Sequence, residues 1–157
     1  MTILFSNPPW WEAKESRGFL RKKRWRRGVR AGSRWLFTYL GRCTPDNPRA
    51  KDYIPYPFFL GYSTTYTAKE IGDNEVFFRD SIAISESYKS FYKYLDSINK
   101  KLKYFVIESA TPSWEHDYNL IKEVKKKYPH LKIIVAGPIS TSDQKWDSDI
   151  VHAILKG

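Results

Sequence analysis

Apolar positions in this chain follow two rhythms. Short runs with little polar interruption occur at Ile3-Leu4-Phe5-Ser6, Val76-Phe77-Phe78, Tyr104-Phe105-Val106-Ile107, Leu131-Lys132-Ile133-Ile134-Val135-Ala136 and Ile150-Val151-His152-Ala153-Ile154-Leu155. Runs of this kind mark strands that are buried on both faces. Between them the apolar residues recur every three to four positions: Tyr88, Phe91, Tyr92, Leu95 and Ile98 in one stretch, Leu120, Ile121, Val124 and Tyr128 in another. That spacing puts each set on one side of an amphipathic helix. A further helix, rich in Thr and Tyr, is predicted over 57–71, with Pro57 near its first turn and Gly72 as its stop. Ser85 or Ser87 is expected to open the second helix; Ser113 is the expected N-cap of the third, and Pro129 closes it.

Strands alternating with helices predict right-handed crossovers and a parallel sheet. The expected architecture is an α/β, flavodoxin-like (Rossmann-like) three-layer domain with a five-stranded parallel sheet in the order 2-1-3-4-5. The chain stops at Lys156-Gly157, directly after the fifth strand, where a doubly wound unit adds a helix. This leads us to expect a larger architecture, or a partner that covers that sheet face.

One segment departs from the alternation. After the first strand the chain runs into Asn7-Pro8-Pro9-Trp10-Trp11, and residues 7–56 read as a long insertion that is aromatic, then basic, then glycine-bearing. In open α/β sheets ligands bind beyond the carboxyl ends of the strands, near the point where strand order reverses. An oversized aromatic loop there points to a large, partly flat ligand. The two prolines remove backbone N–H donors that a phosphate cradle needs, which argues against a simple nucleotide site.

At 157 residues the chain is one ordinary domain, and 17% of it is aromatic, with six Trp and eleven Tyr. No run approaches the ~18 apolar residues of a membrane span, and no secretory signal opens the chain, so a cytoplasmic protein is expected. Cys43 stands alone, which excludes an internal disulfide and a multi-thiolate metal site. The net charge of +10 is concentrated between Lys14 and Arg34, where ten Lys/Arg face one acid, Glu15. That arm, with Phe19 and Trp25 inside it, is either a nucleic-acid patch or a solvated insertion that meets another surface. No RNA-binding signature accompanies it.

Four groups of loop residues converge on one edge of the expected sheet: 7–11 with 28–35, 80–82, 109–113 and 137–140. All offer small or hydroxyl residues, where a ligand can approach the backbone. Gly-x-Ser-x-Gly, Gly-x-Gly-x-x-Gly and Walker-type motifs are absent, and the acidic cluster of a receiver domain is not found after the first strand. His116, His130 and His152 form no ligand cluster in sequence, and His116 reads as a surface or capping residue.

Asn7-Pro8-Pro9-Trp10, Gly28-Val29-Arg30-Ala31-Gly32-Ser33-Arg34-Trp35 and Pro55-Tyr56-Pro57-Phe58-Phe59-Leu60-Gly61-Tyr62 resemble the amino-terminal cobalamin-binding domain of cobalamin-dependent (class B type) radical SAM enzymes. Asp80-Ser81-Ile82-Ala83, Glu108-Ser109-Ala110-Thr111-Pro112-Ser113 and Ala136-Gly137-Pro138 are similar to the family's later strand-end segments. The resemblance covers almost the whole chain, and the run from Gly28 to Trp35 is its most specific part.

The resemblance implies a cobalamin-binding module, residues 1–157, that presents the corrin to a radical SAM catalytic domain or subunit for methyl or alkyl transfer. The implied cofactor-binding residues are Asn7, Pro8, Pro9, Trp10, Arg30, Gly32, Ser33, Arg34, Trp35, Asp80, Ser109, Ala110, Thr111, Pro112, Ser113, Gly137 and Pro138. Ser109-Ala110-Thr111 stands where cobalamin domains contact the cofactor's nucleotide tail, and Gly137 retains one glycine of a Gly-Gly pair that lets the tail pass. S-adenosylmethionine and an iron–sulfur cluster would belong to the catalytic domain, whose Cys-x-x-x-Cys-x-x-Cys motif is absent here. The Asp-x-His-x-x-Gly loop of many cobalamin domains is also missing, so cobalt is expected to carry no protein imidazole. Alternatives remain for several of these residues. Trp10, Trp11 and Trp35 either flank a corrin or pin the long loop to the body; Arg30 and Arg34 either meet polar ligand groups or are solvated. Asp80 either meets a ligand hydroxyl or amide, or starts the next loop. The other functional readings are a nucleic-acid-binding α/β protein using residues 14–34, and a ligand-free docking domain.

Overall fold

The computed structural model of the chain describes residues 2–15, 23–27, 56–137, 139 and 147–155. The elements in order are β1 (Thr2–Asn7), β2 (Trp11–Glu15), β3 (Lys23–Arg27), α1 (Phe58–Ile71), β4 (Val76–Asp80), α2 (Tyr88–Ile98), β5 (Leu102–Glu108), α3 (Trp114–Lys127), β6 (Lys132–Ala136) and β7 (Val151–Ile154). Five strands form one parallel sheet in the order β4-β1-β5-β6-β7. Counted along the sheet-forming strands this is 2-1-3-4-5, the flavodoxin-like arrangement expected from the alternation.

β1 is buried along its whole length, as a central strand must be. Its register sets the sheet: Phe5 pairs with Phe78 of β4 and with Val106 of β5. On one side of the sheet Leu4, Phe105, Ile107, Ile133 and Val135 pack with Phe91 and Leu95 of α2 and Leu120, Ile121 and Val124 of α3. On the other side Ile3, Phe5 and Val106 pack with Leu60 of α1. The α1 side is the thinner layer. Leu60 and Gly61 are the buried residues of that helix, and Phe58, Phe59, Tyr62 and Tyr66 are exposed.

Local signals explain the element ends. The Ser87 hydroxyl accepts the Ser90 N–H at 3.1 Å, so Ser87 rather than Ser85 caps α2. Ser85 instead takes a positive φ of 52° in the turn after β4. Gly72 ends α1 with φ 96°, a conformation that side chains other than glycine rarely adopt, while its N–H donates to the Ala68 carbonyl. Ser113 occupies the N-cap position of α3 as expected, but its side chain makes no cap bond. Its backbone is already helical there, and the hydroxyl turns back onto the Ala110 peptide at 3.2 Å.

The insertion after β1 differs from the continuous loop read from the sequence. β2 and β3 pair antiparallel, with Trp11 opposite Arg27 and Glu15 opposite Lys23. An excursion of this length must satisfy its own backbone donors and acceptors, and an antiparallel ladder does so locally. Among the described residues no helix is long and apolar enough to cross a membrane.

Candidate functional site

All parallel strands end on the same edge, and strand order reverses between β1 and β5. Ligands of such sheets settle at that reversal. The residues that stand there divide by face, because side chains alternate along each strand. Phe5 and Val106 belong to the α1-side cluster. Asn7 and Glu108, two positions further along each strand, therefore face the same side. Asp80 is the register partner of Asn7, and Ala136 that of Glu108.

On the α2/α3 side the buried carboxylates are satisfied from within. The buried Ser109 hydroxyl donates to Asp117 Oδ2 at 2.8 Å, and Asp117 is itself 1% exposed. Glu86 accepts from Arg79 through Nη2 at 2.6 Å and Nε at 3.1 Å, from Ser81 Oγ at 2.7 Å and from Ser90 Oγ at 3.0 Å. Burial opposes its charge, but the Arg79, Ser81 and Ser90 hydrogen bonds outweigh that and hold its pKa below the ordinary carboxylate value.

The Pro-Pro-Trp-Trp junction is fastened on this same side. Trp10 stacks on His116 with ring centroids 5.2 Å apart and planes 20° apart. His116 Nε2 lies 3.2 Å from the Tyr88 hydroxyl and 3.4 Å from the Pro9 carbonyl oxygen. The Tyr88 hydroxyl accepts the Trp11 N–H at 3.1 Å, and Trp11 Nε1 donates to the Glu86 carbonyl at 2.8 Å. Trp10 and Trp11 thus tie the start of the insertion to α2 and α3. His116 is half-buried within this contact rather than a surface cap.

The α1 side is different. Asn7 Nδ2 donates to Asp80 Oδ1 at 2.9 Å, and the same oxygen accepts the Ala83 N–H at 3.0 Å, so Asp80 anchors the turn after β4. Glu108 is 4% exposed, yet neither of its oxygens has a partner at hydrogen-bond distance. Ser6 Oγ is the other buried polar atom in this condition among the described residues. Burial pushes the Glu108 carboxyl above the ordinary carboxylate range, and the Leu60 N–H in the first turn of α1 offsets part of the rise. Beside it Gly137 has φ 94°, and a Cβ built there would lie 2.6 Å from the Ser109 carbonyl oxygen and 2.9 Å from Glu108 Cγ. Only glycine fits this approach of β6 to β5.

Of the residues implicated by the sequence, Asn7, Pro8, Pro9, Trp10, Asp80, Ser109, Ala110, Thr111, Pro112, Ser113 and Gly137 gather at the carboxyl edge. Thr111 and Pro112 are exposed there, whereas Ser109 and Ser113 are buried beneath them. Arg30, Gly32, Ser33, Arg34, Trp35 and Pro138 lie outside the described residues. The sequence reading missed Glu108, His116, Tyr88, Glu86 and Asp117 as parts of this edge. A signal for Glu108 existed: a carboxylate directly follows the apolar run Phe105-Val106-Ile107. Among the described residues no group of three or more His, Cys, Asp or Glu is placed to hold a metal ion. In comparisons with known protein families, curated proteins and solved structures, nothing matches this chain.

Proposed function

We propose that this chain is a cobalamin-binding module that presents the corrin to a separate radical SAM active site for methyl or alkyl transfer. The observation that supports it is the gathering of Pro8, Pro9, Trp10, Thr111 and Gly137 at the carboxyl edge of a 2-1-3-4-5 sheet, beside the reversal between β1 and β5. Two features of the edge suit a large amide-bearing ligand: the buried Glu108 carboxyl without a partner, and the glycine that lets β6 close against β5.

Asn7, Pro8, Pro9 and Trp10 would hold one flank of the cofactor; Ala110, Thr111, Pro112 and Gly137 would hold the other. Ser109 and Ser113 would act from beneath: their hydroxyls, bonded to Asp117 and to the Ala110 peptide, stiffen the loop. When bound, the corrin supplies a cobalt that accepts and releases an alkyl group; the chain's residues bind it, orient it and exclude water. No protein imidazole is assigned to cobalt, since His116 Nε2 is turned toward Tyr88 and Pro9. S-adenosylmethionine and the iron–sulfur cluster belong to the catalytic partner. Mixing the full chain with hydroxocobalamin and separating by gel filtration tests the proposal. A corrin spectrum that travels with the protein supports it, and free elution at micromolar protein removes it.

A second reading has one observation in its favour. The β2–β3 ribbon carries Lys14, Lys23, Arg24, Arg26 and Arg27, and a basic two-stranded ribbon suits a nucleic-acid backbone. Titration of labelled single-stranded RNA and DNA at two salt concentrations tests it, with affinity falling steeply as salt rises if phosphates are bound.

A further inference from the structure

We propose that Glu108 is the recognition residue of a carboxamide subsite on the α1 side of the carboxyl edge, the point at which this chain grips a peripheral amide of its ligand. The inference rests on the corrin reading above and names the contact through which that reading acts.

Position comes first. Glu108 ends β5 and Asn7 ends β1, the two strands between which the sheet order reverses. Their side chains share the α1 face, at the edge beyond which open α/β sheets hold ligands. Gly137, directly after β6, packs against this position: a Cβ there would lie 2.9 Å from Glu108 Cγ.

Hydrogen-bonding state comes second. Buried polar groups in folded proteins are nearly always bonded, and each exception calls for a cause. The other buried acids of this edge follow the rule: Glu86 has Arg79, Ser81 and Ser90, and Asp117 has Ser109. Glu108 alone among them has neither a cation nor a hydroxyl at bonding distance. Among the described residues the Leu60 N–H is the one group that favours a carboxyl there; a ligand amide would complete its bonds.

The chemistry of that ligand follows from the surroundings. No basic side chain among the described residues bonds to Glu108, and burial favours its protonated form. A neutral carboxyl offers one donor and one acceptor side by side. A primary carboxamide offers the complementary pair, so the two close a ring of two hydrogen bonds. A cationic ligand would need the ionised carboxylate, which this site disfavours.

The test uses the full chain, hydroxocobalamin and the cobalamin monocarboxylates, each of which replaces one peripheral carboxamide with a carboxylate. Loss of a two-bond contact corresponds to a weakening of about tenfold or more. Glu108→Leu should therefore bind hydroxocobalamin at least about tenfold more weakly, while Glu108→Gln, which keeps a donor and an acceptor, stays within about threefold. One monocarboxylate should bind the unaltered chain about tenfold more weakly than hydroxocobalamin and lose that handicap in Glu108→Leu. If the unaltered chain binds hydroxocobalamin and neither the variants nor the monocarboxylates change affinity, the subsite is wrong and the corrin reading stands. If the unaltered chain binds no corrin, both fall. Should Glu108→Leu fail to fold by circular dichroism, the monocarboxylate series on the unaltered chain decides by itself.

Discussion

Trp10 lies flat against His116, 5.2 Å between ring centroids and 20° between planes, although more than a hundred residues separate them in the chain. The contact fastens the start of the long insertion to the first turn of α3, and Tyr88 of α2 closes the group by bonding to both His116 and the Trp11 amide. The stack should couple the two side chains by about 1 kcal/mol, the usual worth of an aromatic pair. A double-mutant cycle with Trp10→Leu and His116→Ala, read by urea midpoint, checks this. Additive losses would mean that the rings touch without holding the insertion.

Glu86 and Arg79 are coupled more strongly. The Glu86 side chain is 1% exposed, and the bidentate Arg79 contact supplies its cation. Arg79→Ala should cost about 3 kcal/mol, because a buried carboxylate is left without its partner. The Glu86 pKa is lowered in the fold, so its stabilisation is present above the ordinary carboxylate pKa and is lost as pH falls through the lowered value. In Arg79→Ala that acid-side loss should shrink, as chemical denaturation between neutral and acidic pH would reveal.

Gly137 is a point of no tolerance. Its φ of 94° and the 2.6 Å approach of a built Cβ to the Ser109 carbonyl each oppose any side chain. Gly137→Ala should cost about 2 kcal/mol or more, from backbone strain together with overpacking. Gly137→Val should cost still more and should also weaken corrin binding. An alanine variant with an unchanged urea midpoint would contradict the packing described for this edge.

Much of this fold was legible because its signals are local. Ile3-Leu4-Phe5 and Phe105-Val106-Ile107 read as strands since both of their faces are covered, and Gly72 read as a stop because its conformation excludes side chains. The α2 stripe from Tyr88 to Ile98 gave both the helix and its buried face. The β2–β3 pairing was hidden, for seven of its ten residues are charged and the few apolar ones set too short a rhythm to read. His116 was misjudged for a related reason: its partners Pro9 and Trp10 arrive from the far end of the sequence. Glu108 was passed over because its meaning lies in a bond it does not make.

Glu108 itself should depress stability. Replacing an unpartnered buried carboxyl by an apolar side chain of similar size removes a desolvation penalty, so Glu108→Leu should gain about 1–2 kcal/mol at neutral pH. The pH dependence has a definite sign. The folded carboxyl keeps its proton to higher pH than in the unfolded chain, so folding binds protons across that window. Stability should fall as pH rises from the ordinary carboxylate pKa to the raised value, then level off. Glu108→Leu should abolish that fall, which urea titrations across the window measure; an unchanged profile would show that Glu108 does not titrate there.

The central claim is that the carboxyl edge holds a corrin, and intrinsic fluorescence tests it directly. Trp10 and Trp11 are both buried at that edge, and a corrin bound beside them absorbs in the range where tryptophan emits. Titrating the full chain with hydroxocobalamin, with free tryptophan as the control for light absorbed by the corrin, should give saturable quenching that ends at one corrin per chain. Quenching that never saturates and matches the control at every concentration would contradict the account.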